Sequence, residues 1–90
     1  MTQTRALDEL TVGETALVHD VLEPDSGDSE YRQIARRLGE LGFVPGAALE
    51  VISIMKPGGD PIAVRVGATL FALRRREAQL VLTSTQPQAQ

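Results

Sequence analysis

RLGELGFVPGA, residues 37–47, sets three glycines and a proline among Leu38, Leu41, Phe43 and Val44, and its reading decides the fold. Upstream of it, Tyr31, Ile34, Leu38 and Leu41 recur at helical spacing, while Arg32, Gln33, Arg36, Arg37 and Glu40 fall on the other sides. This predicts one amphipathic helix, with Asp28 or Ser29 as its cap and Glu30 in the first turn, where the helix dipole favours an anion. Gly42 is free to adopt the left-handed conformation that ends a helix, and Pro45 prevents the helix from continuing. Pro45-Gly46 then supplies a turn, and Phe43-Val44 covers the end of the sheet between the two devices. Gly42, Pro45 and Gly46 are therefore read as structural turn residues, whose task is to place a helix against a strand.

Working outward, the period changes to two from Ala47: ALEVISIM, the turn signal KPGGDP, then Ile62, Val64 and Val66 alternating with Ala63 and Arg65. Gly67-Ala68 allows a second reversal into TLFALR, and RRREAQ reads as a single helical turn before a last strand, LVLT at 80–83. On the other side, TALVHDVL at 15–22 alternates as a strand and is closed by EPDSGD, while ALDEL turns Leu7 and Leu10 inward. About five short strands with one inserted amphipathic helix are too few for a sandwich and suit a mainly β fold, a small and strongly bent barrel. Residues 1–5 and 84–90 are polar and without periodicity, so the expected organisation is a flexible N-terminus, one domain over 6–83 and a disordered tail.

Composition narrows the chemistry. Ninety residues bury too little surface for a deep catalytic cavity, and the twelve acidic against nine basic residues, a net charge of −3, argue against nucleic acid as a partner. The absence of cysteine removes disulfides, thiolate metal sites and thiol catalysis. The opening MTQTRALDEL has neither the basic nor the apolar part of a signal peptide, so a cytoplasmic location is expected. No catalytic residue is assigned: Ser26, Ser29, Ser53 and Ser84 lack a nucleophile's context, and Gly58-Gly59-Asp60 lacks the spacing of a phosphate loop.

His19 stands in a strand segment with Leu17 and Val21 as its same-face neighbours at spacing two and Asp20 on the opposite face. Any metal held there would be weak, adventitious or intermolecular, completed by a carboxylate from another strand or another molecule. No cofactor is required; a weakly bound divalent iron or zinc is the form a metal site would take. A proline-rich ligand does not suit a chain with no Trp and one Tyr, since Tyr31 belongs to the inward face of the helix. The expected partner-binding residues are Arg36, Arg37 and Glu40 on the exposed helix side, and Met55, Lys56, Pro57 and Asp60 at the hairpin tip. The run Arg74-Arg75-Arg76 is read as part of a structural turn in which Arg74 pairs with an acid near the helix; the alternative is that it forms, like Arg36-Arg37, a guanidinium patch that meets an acidic surface on a partner.

Three segments in register, L-x-x-L-x-x-G-E at 7–14, RRLGELGFVPGAALEV at 36–51 and GDPIAVRVGATLFALRRREAQLVL at 59–82, resemble the FeoA family of accessory proteins of bacterial ferrous iron transport. The acidic EPDSGDSEY before the helix is longer than the common form. The resemblance implies an SH3-like barrel without enzymatic activity, partnered by a FeoB-type ferrous iron permease through its cytosolic part, with its GTP-binding domain as the natural candidate. Contact with the membrane would then come only through the transporter. A metal-responsive or iron-delivery module is the alternative, and the edge strands of a partly open barrel allow a weak homodimer.

Overall fold

The computed structural model describes residues 4–23, 29–55 and 58–84, Ser29 by its backbone alone. The strands are β1 (Thr4–Ala6), β2 (Thr15–Val21), β3 (Ala48–Ile54), β4 (Ile62–Val66), β5 (Thr69–Leu73) and β6 (Val81–Ser84). Helix α1 (Ser29–Leu41) lies between β2 and β3, the helical turn α2 (Arg75–Ala78) between β5 and β6, and a 3-10 turn (Leu7–Glu9) follows β1. All neighbours pair antiparallel in one sheet of order β1-β6-β2-β3-β4-β5. The fold is mainly β, with six strands where the sequence predicts about five.

The stretch that ends α1 is built from local hydrogen bonds. Phe43 N–H donates to the Leu38 carbonyl at 3.0 Å and Gly42 N–H to the Gly39 carbonyl at 3.1 Å, the pair of bonds of a Schellman motif. Gly42 has φ +116°, a conformation that a side chain would strain. The motif's apolar contact joins the residue after that glycine to the last helical turn, and Phe43 and Leu38 are both buried in the core. A turn follows at once, closed by Ala47 N–H donating to the Val44 carbonyl at 3.0 Å, with Pro45 second and Gly46 third at φ +92°, the pattern of a type II turn. Gly46 N–H donates to the Val18 carbonyl at 2.8 Å and Val18 N–H to the Ala47 carbonyl at 2.7 Å, so the turn is tied to the strand beside it.

The core is aliphatic. Val18, Val51, Val64 and Val81 line its strands, Leu7 closes one end and Phe43 fills the helix side. Its aromatic contribution is the tilted pair Phe43–Phe71, with ring centroids 5.4 Å apart. On α1, Ala35 and Leu38 are buried, and Tyr31 and Ile34 are partly buried. Leu41, expected to face inward, is 41% exposed, because the chain turns away from the helix axis directly after it.

Two strand readings are corrected by long-range pairing. Thr4, Arg5 and Ser84 lie outside the expected 6–83 bounds, yet Thr4 pairs with Ser84 and Arg5 with Thr83. The buried Thr83 Oγ1 also donates to the Arg5 carbonyl at 2.8 Å. In β2 the register against β6 shifts between Val18 and Asp20, a bulge at His19. The bulge breaks the expected Leu17–His19–Val21 face: His19 and Asp20 are both exposed, and Val21 packs against the core.

The β1 end of the sheet is fastened by Glu14. Its carboxylate accepts from Thr11 N–H at 2.9 Å and pairs with the Arg5 guanidinium. Thr11's backbone bond first, then the Arg5 side chain, hold the Glu14 carboxyl below the usual carboxylate range. A lowered pKa stabilises the fold above the unfolded-state value and loses that effect as pH falls through the folded one. We expect Glu14→Gln to lower stability at about pH 7 by about 0.5–1 kcal/mol, and the difference to close toward about pH 3. Urea midpoints for both proteins at the two pH values decide it; a constant difference would assign Glu14 no ionic role.

Candidate functional site

Helix α1 and strand β5 contribute residues to the two sides of one gap. At one end Arg76 of α2 pairs with Glu30 of α1 at 3.4 Å. Between the helix and the strand lies an open groove of about 750 Å³. Its apolar lining is Ile34, Leu38 and Leu41 from the helix and Phe71, Ala72 and Leu73 from the strand. Its polar lining is Gln33 and Arg37 along α1, with Arg74, Arg76, Glu30 and Glu77 at the α2 end.

The charged residues of the groove differ in what they already bind. Glu77 accepts from its own turn, Arg74 N–H, at 2.7 Å. Arg76 is engaged by Glu30, although the sequence reading gave the pairing role to Arg74. The side chains of Arg37 and Arg74 have no ion pair among the described residues, and both residues are exposed. Three guanidinium groups against two carboxylates make this groove locally positive on a chain of net charge −3.

Of the described residues proposed from sequence, only Arg37 lines the groove. Arg36 and Glu40 are exposed elsewhere on α1, and Met55 is 54% exposed at the end of β3. Lys56 and Pro57 lie outside the described residues. Asp60 is not a free hairpin-tip carboxylate: its Oδ1 accepts from Arg75 N–H at 3.1 Å, which ties the hairpin to α2. His19 stands exposed in its bulge, and among the described residues no three His, Asp or Glu side chains gather into a metal-holding group. Phe71, Arg74 and Arg76 were not identified as groove residues; the arginine run was visible, but its position opposite α1 depends on the closed fold.

A family model for the FeoA domain matches residues 5–84. No curated protein matches the chain in sequence. Among solved structures, Stenotrophomonas maltophilia FeoA is 41% identical, with a TM-score of 0.72 over 92% of this chain and 88% of that one. It is described as a prokaryotic SH3 domain protein in complex with zinc and as a candidate ferrous iron transport activating factor. A FeoA-like protein from Clostridium acetobutylicum is 26% identical over 100% of this chain and 95% of its own, with a TM-score of 0.77. The FeoA protein of Chlorobium tepidum is 32% identical over 96% of this chain and 74% of its own, with a TM-score of 0.74.

Proposed function

The chain belongs to the FeoA family, and from that premise we propose that it is a non-enzymatic accessory factor of ferrous iron uptake that binds the cytosolic part of a FeoB-type permease. The family match over residues 5–84 carries this reading, since it takes in every strand but the first residue of β1. The groove supports it: an open surface that mixes apolar and charged residues suits a protein segment better than a small substrate. No helix among the described residues is long and apolar enough to cross a membrane.

The test is recovery of the permease from detergent-solubilised membranes by the tagged chain, with the permease's GTP turnover measured in parallel. Recovery above a tagged unrelated barrel supports the reading, and equal recovery by the two retires it. The zinc in the Stenotrophomonas maltophilia relative favours one second reading, a metal-responsive or iron-delivery role with a weak site at the exposed His19. One imidazole with no carboxylate cluster around it among the described residues fits a site completed by a second molecule. Calorimetric titration of the chain and of His19→Ala with zinc or anaerobic ferrous iron separates the two. Submicromolar binding that is lost with the imidazole would favour the metal reading over the accessory one.

A further inference from the structure

Resting on that protein-binding reading, we propose that the groove between α1 and β5 takes one extended acidic segment carrying aliphatic side chains, which adds to the sheet as a strand beside β5. Among the described residues, β5 has β4 on one side and no strand on the other, so its outer row of N–H and C=O groups is available for pairing. The edge runs for five residues, Thr69–Leu73, about 16 Å at ~3.3 Å per residue, a length that orders a short peptide. On the far side of the groove, the partly buried Ile34 and the exposed Leu41 present an apolar wall backed by the buried Leu38, and the partly buried Phe71 contributes from the strand itself. Aliphatic side chains of the added segment would cover that wall.

Charge selects the rest of the occupant. Arg37 and Arg74 approach the groove from opposite sides with no carboxylate partner, and Arg76 stands at the same end as Arg74. Glu30 and Glu77 are the opposing charges at that end; the first is engaged with Arg76 and the second with the Arg74 backbone. A second copy of this chain pairing through the same edge does not meet that demand. Its β5, TLFAL, carries no acid, and its other edge strand, TRA, brings a further arginine.

The full chain is to be panned against a random linear peptide library displayed on phage, and the enriched peptide synthesised. We expect an acidic and aliphatic consensus. The double variant Arg37→Glu/Arg74→Glu should weaken that peptide by at least about tenfold with an unchanged urea midpoint, because neither side chain holds the fold together. Alternate backbone N-methylation of the peptide should weaken it comparably, and amide shifts on binding should centre on residues 69–73 and the facing side of α1. The proposal is overturned by no enrichment, by a basic or proline-rich consensus, by binding indifferent to either change, or by self-association or anionic-vesicle binding that uses these residues instead. Permease recovery that survives the double charge reversal would retire the groove and leave the accessory role standing.

Discussion

Phe43→Ala is expected to remove about 3–5 kcal/mol of folding stability, because it empties the largest fully buried side chain of the core. Phe43 is 1% exposed and stacks at a tilt on Phe71 with 5.4 Å between centroids, so truncation forfeits both buried area and an aromatic contact. The position cannot collapse easily. Its backbone is held by the Schellman bond to Leu38 on one side and by the turn bonds that tie residues 44–47 to Val18 on the other. A domain of 90 residues has roughly 5–13 kcal/mol to lose, so the variant should unfold at much lower urea and melt roughly 15–30 °C lower. Phe43→Leu, which keeps most of the volume, should cost under about 1.5 kcal/mol. Phe71→Ala should cost less than Phe43→Ala, since Phe71 is only partly buried, and the double variant should lose less than the sum. An alanine effect below the leucine limit would mean that the helix is not clamped to the sheet through this ring.

That clamp was readable because its chemistry is local. A glycine past the last helical turn, a proline that cannot continue it and a second glycine suited to the third position of a turn are all contained in residues 37–47. The hairpins were readable for the same reason, since period-two runs and two-glycine turns report themselves within ten residues. β1 was not, because three residues, TRA, show no period; they become a strand through pairing with residues 82–84, at the far end of the chain. The bulge at His19 was hidden by the same kind of dependence. Alternation assigned Val21 to the face of His19, but β6 sets the register and turns Val21 to the core. The groove is the strongest instance. Its two walls come from residues 30–41 and 71–77, and no spacing rule relates them until the sheet brings β5 and α2 alongside the helix. Sequence reasoning looked instead at residues that stand out singly, such as Asp60, whose bond from the Arg75 backbone N–H no local pattern announces.

Ala78→Glu tests whether the groove depends on α2 being docked, and its effect should be large. Four residues cannot hold a helix by propensity, so α2 persists because its surroundings hold it. Asp60 and Glu77 accept from the backbone N–H groups of Arg75 and Arg74, Arg75 Nε lies 3.6 Å from the mostly buried Asp8 carboxylate, and Arg76 reaches Glu30. Beneath these exposed contacts Ala78 is fully buried in the core cluster, against the 3-10 turn at Leu7–Glu9. A glutamate there would bury a carboxylate in an aliphatic setting, a change worth about 3–5 kcal/mol when the charge finds no partner. The chain has a cheaper course, which is to release α2 and keep the barrel, so the measured loss should stop at the free energy of that local opening. The expected result is a lowered melting temperature with a cooperative transition retained, together with loss of hydrogen-exchange protection at residues 77–80, whose N–H groups donate within the turn in the parent. Arg74 and Arg76 would leave the groove with it, so permease recovery should fall to the level of the Arg37→Glu/Arg74→Glu variant. Ala78→Ser, nearly the same size, should keep both protection and recovery. Undocking of α2 with full recovery would, like recovery that survives the double charge reversal, retire the groove as the contact surface.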